Sequence, residues 1–245
     1  MQYMTMAGEP SMDTTWANKL RKFKEYDHLT LVTKNPGAFI KSELEYAIEQ
    51  NKDKVTIYSC ITGYGKSPVE PMAPTFQSAI LSTKYLIDQG YDVVLYIKPI
   101  FPTTIGFNNV IDLINYARIV FSGLKDIRIQ FDFIQRIENE EERGLVYPWI
   151  SEEYDALPMD DNSELDIVSA STIIDFFRTL ESDEGAVIST TNHSIKFESW
   201  WPKDITYFEI LEGEDIYHQC RFGCRYCNLK DYVPDESDNA VNNIC

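Results

Sequence analysis

The segment VTIYS at Val55–Ser59 is followed by PTFQSAILSTKYLIDQ at Pro74–Gln89 and by VVLYIK at Val93–Lys98. The first and third runs are short and rich in β-branched and aromatic residues, which favour β-strands. The middle run repeats apolar residues at helical spacing, opens with a proline expected in its first turn, and is followed by Gly90, which can end a helix. The segment therefore predicts a βαβ unit with two parallel strands.

The same alternation of strand and helix patterns continues on both sides of this unit. We predict strands at Tyr3–Ala7, Leu29–Lys34, Val55–Ser59, Val93–Lys98, Ile127–Phe131, Ala186–Thr191 and Thr206–Leu211. We predict helices at Trp16–Phe23, Lys41–Glu49, Pro74–Gln89, Asn108–Ser122 and Ile167–Leu180. This order is typical of an α/β fold in which helices cover a parallel sheet. A length of 245 residues suits one such domain, residues 1–245, because single α/β barrels are often this long.

Two segments depart from the alternation. Residues 138–165 combine the acidic run Glu140–Glu142 with aromatic residues, and this pattern predicts an insertion or lid. Residues 229–245 are polar, and they predict a C-terminal tail.

The composition argues against several classes of function. A net charge of −17 makes duplex DNA a poor candidate partner, since phosphate binding requires a concentrated basic surface. No run approaches the roughly 18 consecutive apolar residues of a membrane span, and MQYMTMAGEP at the N-terminus lacks the basic start of a signal peptide. We therefore expect a cytoplasmic protein with no membrane association.

Three of the five cysteines lie within eight residues, in the sequence Cys220-Arg-Phe-Gly-Cys224-Arg-Tyr-Cys227. An odd total with this clustering indicates a metal site rather than a secreted disulfide framework. Three thiolates on one loop suit an iron–sulfur cluster or zinc. A four-iron cluster with three protein ligands keeps one iron open, whereas structural zinc normally takes four protein ligands.

The zinc alternative would use His218, Cys60 or Cys245 as the fourth ligand. The chain would then be a zinc-stabilised binding module without catalytic activity. Outside that alternative, Cys60 is interpreted as a small buried side chain and Cys245 as a tail thiol.

The C-x₃-C-x₂-C spacing, with Tyr226 before the last cysteine, resembles the cluster motif of the radical S-adenosylmethionine (radical SAM) superfamily. The resemblance implies a [4Fe–4S] cluster on Cys220, Cys224 and Cys227, with Tyr226 beside the cofactor. In that superfamily the open iron chelates the amino and carboxylate groups of SAM. The resemblance also implies reductive cleavage of SAM to a 5′-deoxyadenosyl radical that abstracts a hydrogen atom from a substrate.

Near the N-terminus, Ala7-Gly8-Glu9-Pro10 resembles the G-G-E-P motif of the same superfamily, with alanine in place of the first glycine. The resemblance implies that Gly8 and Glu9 bind the ammonium group of SAM. In the superfamily the cluster loop precedes this motif, whereas here Cys220 follows Glu9 by 211 positions. The predicted fold is therefore a circularly permuted partial (β/α)6-type barrel, in which the strand before the cysteines lies parallel to and beside the N-terminal strand.

Further segments are similar to the spore photoproduct lyase-like branch of the superfamily and to related families. These are Leu31-Val-Thr33-Lys34-Asn35, Tyr58-Ser59-Cys-Ile-Thr62-Gly-Tyr64, Glu70-Pro71-Met-Ala-Pro74-Thr and Val93-Val-Leu-Tyr-Ile97-Lys98-Pro99-Ile100-Phe101-Pro102. The resemblance covers most of residues 3–104 together with 206–228. Residues 132–205 carry no match.

Three polar residues in these segments are expected near SAM. Lys34 would bind the methionine carboxylate as a point charge, and the Ser59 hydroxyl would reach the carboxylate or the ribose. Lys98, in place of the usual arginine, would contact the cofactor, the substrate or an acidic neighbour. The alternative is an exposed lysine at a strand end for Lys34 and a small core residue for Ser59.

The resemblance implies an external electron donor such as flavodoxin or ferredoxin, and an activity of the lyase or oxidoreductase class. The sequence identifies neither the substrate nor a catalytic residue for the hydrogen abstraction.

Overall fold

The computed structural model describes residues 2–6, 9–12, 16–21, 28–67, 70–101, 104–125, 127–133, 187–189 and 207–211. Within these ranges the strands are β1 (Gln2–Met6), β2 (His28–Thr33), β3 (Val55–Ile61), β4 (Asp92–Ile100), β5 (Arg128–Phe133), β6 (Val187–Ser189) and β7 (Tyr207–Leu211). The helices are α1 (Trp16–Leu20), α2 (Glu43–Ile48), α3 (Phe76–Asp88) and α4 (Thr104–Phe121). Short 3-10 helices occupy Pro10–Met12, Pro36–Phe39 and Glu49–Lys54.

The described strands form one sheet in the order β6-β5-β4-β3-β2-β1-β7. Every neighbouring pair in it is parallel. Crossover connections through helices are the usual way to join parallel neighbours, and α2, α3 and α4 each lie between two consecutive strands of the sheet. The predicted α/β class with parallel strands is confirmed, and the arrangement is consistent with a partial (β/α) barrel.

The last and first strands of the described chain are neighbours. β7 pairs with β1 in parallel over five residues, from Gln2 opposite Tyr207 to Met6 opposite Leu211. The prediction that the strand before the cysteines lies beside the N-terminal strand is therefore confirmed. Because both strands run the same way, their carboxyl ends at Met6 and Leu211 lie at the same edge of the sheet.

Helix α3 shows how local sequence sets an element's limits. Thr75 is its N-cap, and the Thr75 side chain accepts a hydrogen bond from the N–H of Ser78. The expectation that Pro74 occupies the first turn is wrong, because Thr75 caps the helix and its first residue is Phe76, two positions after Pro74. At the other end, Gly90 has a φ of +84° and the N–H of Tyr91 donates to the carbonyl of Leu86, a Schellman ending that glycine makes possible.

The two faces of the sheet differ in character. One face packs on the helices through aliphatic side chains, each of which contributes about 1.5–3 kcal/mol on burial. Examples are Leu29, Leu31, Ile57, Leu95 and Ile129.

The opposite face, here called the inner face, carries Val32, Tyr58, Cys60, Val94 and Tyr96 as a separate buried group. Buried polar side chains occupy alternate positions on the same strands, so this face differs from an ordinary apolar core.

Several predictions concern residues outside the described ranges. These are the helix at Ile167–Leu180, the insertion at 138–165, the tail at 229–245 and the single-domain extent, and all of them stay predictions. None of the described helices has the length and apolar character needed to cross a membrane.

Candidate active site

The strand ends nearest the predicted motifs form a polar cluster. Glu9 follows β1, Lys34 follows β2, Thr62 follows β3, and Lys98 lies near the end of β4. In parallel α/β folds the carboxyl ends of strands form the usual ligand-binding edge. The sheet order therefore brings residues that are far apart in sequence to one edge.

Glu9 is buried and bonded to the end of β2. Its Oε1 accepts hydrogen bonds from Thr33 Oγ1 at 2.6 Å and from the backbone N–H of Ser11 at 3.1 Å. Its Oε2 accepts one from the backbone N–H of Lys34 at 2.7 Å. Burial raises the pKa of the Glu9 carboxyl, and these hydrogen bonds oppose that shift. The carboxylate therefore joins the segment after β1 to the end of β2.

Lys34 is bound to a residue that the sequence patterns did not assign. Its Nζ lies 2.8 Å from Glu70 Oε1, and the two side chains are only 12% and 2% exposed. The other oxygen of Glu70 accepts a hydrogen bond from Thr62 Oγ1. The Thr62 hydroxyl in turn accepts the backbone N–H of Tyr64 at 3.1 Å. Lys34 is therefore not an exposed strand-end lysine but one member of a buried charged network.

Cys60 lies among these charged groups on the inner face. Burial raises the pKa of its thiol, while the charges of Lys34, Glu70, Lys98 and Glu9 add smaller and opposing effects. The Sγ donates a hydrogen bond to the carbonyl of Lys98 at 3.3 Å. The interpretation of Cys60 as a small buried side chain is confirmed.

A second polar group lies beside the first, on β4 and β5. Tyr96 Oη donates a hydrogen bond to Asp132 Oδ2, and Gln130 Nε2 donates to the same oxygen at 3.4 Å. Burial and the Asp132 carboxylate raise the pKa of Tyr96 well above its usual value. Lys98 Nζ lies 5.7 Å from the centre of the Tyr96 ring, within range of a cation–π contact.

Ser59 does not belong to this cluster, and its expected contact with the cofactor is corrected. Its hydroxyl shares a 2.6 Å hydrogen bond with Thr83 of α3, on the helix-covered face of the sheet. Side chains alternate between faces along a strand, so Ser59 points away from its neighbours Tyr58 and Cys60. Ser59 is fully buried and serves sheet–helix packing, as in the alternative of a small core residue.

The remaining predicted site residues lie outside the described ranges. They are Gly8, Cys220, Cys224, Tyr226 and Cys227, together with the proposed zinc ligands His218 and Cys245. In the described part of the chain, no three His, Cys, Asp or Glu side chains are arranged to hold a metal ion.

Glu70 and Thr62 are the functional candidates that sequence reasoning missed. Both lie in quoted segments, but nothing in the local pattern indicates that a carboxylate 36 residues away pairs with Lys34. A signal was present in the form of an acidic residue, Glu70, in the connection that follows β3 and Thr62. This signal can be used only when the connection between β3 and α3 is known to lie beside the end of β2, where Lys34 is located.

Gly65 permits the close packing of the connection between β3 and α3. A Cβ at Gly65 would lie 1.8 Å from the carbonyl oxygen of Pro74, a contact with backbone that cannot move aside cheaply. At Gly37 the nearest atom to an added Cβ is the mobile Ser82 Oγ at 3.1 Å.

We expect Gly65→Ala to lower the free energy of unfolding by about 1–3 kcal/mol, because the connection must shift to relieve the overlap. Urea unfolding measures the change, and Gly37→Ala serves as the matched control with a smaller loss. Equal unfolding free energies for the two variants would contradict the close approach of Gly65 and Pro74.

The chemistry of the described cluster fits an amino-acid zwitterion. A carboxylate has about four lone-pair positions, and the hydrogen bonds from Ser11, Thr33 and Lys34 use three of those on Glu9. The buried Ser11 Oγ beside it makes no hydrogen bond of normal geometry. A carboxylate such as that of Glu9 is a suitable acceptor for an ammonium group, and the Lys34 ammonium, which also donates to Glu70, is a suitable donor to a carboxylate.

Comparisons with known proteins include a likeness to a solved structure. No family model matches the chain, and no curated protein matches it in sequence. The structure is similar to that of a cysteine-to-serine mutant of spore photoproduct lyase, with a TM-score of 0.48 and 16% sequence identity. The similarity covers 73% of this chain and 56% of the other, so the chain spans little more than half the length of that protein. Similarity of fold at this level does not identify a shared reaction.

Proposed function

We propose that the chain is a radical SAM enzyme that holds a [4Fe–4S] cluster on Cys220, Cys224 and Cys227. The cluster and SAM, when bound, supply the reductive cleavage that yields a 5′-deoxyadenosyl radical. The protein's own residues bind SAM, orient it and exclude water. The substrate from which hydrogen is abstracted is unidentified.

The parallel pairing of β7 with β1 carries this proposal. Glu9 follows the end of β1 by three positions, and Cys220 follows the end of β7 by nine. The two strands end opposite each other, at Met6 and Leu211. A cluster loop and an ammonium-binding carboxylate that serve one molecule of SAM must begin from the same edge of the sheet, and this pairing meets that requirement.

We also propose that the chain is a circularly permuted member of the superfamily. The cluster strand would be the family's first strand, moved to the C-terminal end of the sequence. A permutation changes the order of strands along the chain but not their neighbours in the sheet. The adjacency of β1 and β7 is the arrangement that such a permutation requires.

The described residues suggest a division of roles at the SAM site. Glu9 would accept hydrogen bonds from the methionine ammonium, and Lys34 would bind the carboxylate. Lys98 and Tyr96 lie on β4, two strands beyond β2 in the sheet, which makes them candidates for the adenosyl group or the substrate. Gly8 and Tyr226 remain predicted cofactor contacts.

One protein partner follows from the proposed chemistry. A reducing protein such as flavodoxin or ferredoxin would deliver the electron to the cluster. The net charge of −17 weighs against duplex DNA as the substrate. We propose that the enzyme acts in the cytoplasm, as a lyase or an oxidoreductase.

Anaerobic purification and metal analysis test the proposal. We expect a brown protein with about four irons per chain that cleaves SAM when dithionite is added. A colourless protein with one zinc per chain and no cleavage of SAM would instead establish the zinc-stabilised binding module.

We expect Glu9→Gln to weaken SAM binding by roughly tenfold to a hundredfold with the iron content unchanged, because a charged hydrogen bond to the ammonium is lost. Calorimetry on the reconstituted protein measures this. The matched control is Glu45→Gln, since Glu45 is also buried and also accepts a backbone N–H, from Lys41 at 2.5 Å, but lies on α2. Equal losses of affinity in the two variants would place the ammonium site elsewhere.

The same carboxylate predicts a pH dependence. Only ionised Glu9 attracts an ammonium group, and the Glu9 pKa lies above its ordinary value of 4.5. SAM affinity should therefore fall as the pH is lowered through the raised pKa, and the fall should begin at a higher pH than for an ordinary glutamate. Titrations of wild type and Glu9→Gln across this range should show the fall in the wild type alone.

A further inference from the structure

We propose that Glu70 is a positioning residue of the SAM site, which holds Lys34 and, through the Lys34 backbone, fixes the carboxylate of Glu9. The inference rests on the proposed function. It adds a residue to which no motif assigned a role.

Lys34 makes both of the connections on which this role depends. Its backbone N–H donates to Glu9 Oε2 at 2.7 Å, and its Nζ donates to Glu70 Oε1 at 2.8 Å. A lysine side chain is a flexible four-carbon stem, and pairing its end with a buried carboxylate restricts it. A shift of the β2 end would therefore disturb the bonds to Glu9 and Glu70 together.

Glu70 is itself held by several bonds. Its second carboxylate oxygen accepts from Thr62 Oγ1, and its backbone carbonyl accepts the N–H of Lys66 at 2.9 Å. The Thr62 hydroxyl accepts the N–H of Tyr64, which leaves its own proton for Glu70. The carboxylate thus has a fixed direction from which to hold Lys34.

The buried pair is better explained by position than by stability. Removing two charges from water is costly, and apolar side chains of similar size commonly stabilise a fold as well or better. An ion pair with directed hydrogen bonds does something that apolar packing does not, because it fixes the relative position of two separate chain connections. Here these are the connection after β2 and the connection between β3 and α3.

A double-mutant cycle on the cluster-loaded protein tests this role. SAM affinity is measured by calorimetry for wild type, Glu70→Gln, Glu9→Gln and the double variant. We expect Glu70→Gln to weaken binding by roughly tenfold in the wild-type background, the size of a lost charged hydrogen bond. In the Glu9→Gln background the further loss should be smaller, because the effect that Glu70 exerts through Glu9 is already lost and only its effect through the Lys34 side chain remains.

Two threonine variants keep the test decisive if Glu70→Gln does not fold. Thr62→Val removes the donor to Glu70 and should weaken SAM binding. Thr62→Ser keeps the hydroxyl donor, so its affinity for SAM should be close to that of the wild type. Glu43→Gln, which breaks the exposed Arg21–Glu43 pair, is the control for loss of an ion pair and should leave affinity unchanged.

The outcomes separate this inference from the proposed function. Suppose that the wild-type protein loads a cluster and binds SAM. Equal losses of SAM affinity for Glu70→Gln in the two backgrounds, or no loss in either, would then overturn the positioning role and leave the proposed function standing. If Glu70→Gln does not fold, equal affinities of Thr62→Val and Thr62→Ser overturn it in the same way. A wild-type protein that neither loads iron nor binds SAM overturns the proposed function, and the inference falls with it.

Discussion

Cys224→Ala is expected to remove most of the bound iron and to abolish reductive cleavage of SAM. A [4Fe–4S] cluster with three protein ligands already has one iron without a cysteine ligand. Loss of one of the three thiolates leaves two irons without a cysteine ligand. Cys220→Ala and Cys227→Ala should have the same effect, because the spacing assigns one iron to each cysteine. Iron analysis, visible absorption and detection of 5′-deoxyadenosine measure the loss.

Cys245→Ala is the control for this experiment. If the three cysteines hold iron, the Cys245 thiol is not a ligand and its removal should leave the iron content and SAM cleavage unchanged. A full cluster in Cys224→Ala would refute the ligand assignment. Loss of bound zinc in both Cys224→Ala and Cys245→Ala would support the zinc knuckle with Cys245 as fourth ligand.

Lys34→Met is expected to lower the free energy of unfolding by about 3–5 kcal/mol, because it leaves the Glu70 carboxylate buried without its partner. The paired side chains are 12% and 2% exposed, so water cannot readily replace the lost ammonium. The double variant Lys34→Met/Glu70→Leu removes both charges and should regain most of the stability. Urea unfolding of the protein before cluster loading measures each value.

Arg21→Met supplies the comparison with an exposed pair. Arg21 Nη2 and Glu43 Oε2 lie 2.6 Å apart, but the two side chains are 49% and 73% exposed. Loss of this pair should cost at most about 1 kcal/mol, because water and salt screen the charges. Similar losses for Lys34→Met and Arg21→Met would show that the Lys34–Glu70 pair is effectively solvated.

The local sequence was sufficient to predict the positions of strands β2 to β5 and of helix α3. β-branched runs gave β2 to β5 within a few residues at either end, and the Thr75 cap and Gly90 delimit α3 by backbone chemistry that is local to them. The strand ends were less accurate, since β4 continues to Ile100 through a register irregularity that no periodicity indicates. The adjacency of β7 and β1 was predicted from motif resemblance, because strand pairing across most of a chain leaves no local pattern.

The composition of the candidate site depended on which face of the sheet each side chain occupies and on which connecting segments lie against that face. Ser59 and Cys60 are adjacent in sequence, yet alternation along β3 sends one to α3 and the other among the charges of Glu9, Lys34 and Lys98. Sequence alone named Glu9 and Lys34 as strand-end residues. Only the tertiary structure paired Lys34 with Glu70 and joined Glu9 to β2, because a buried charge requires a partner that the fold alone can bring to it.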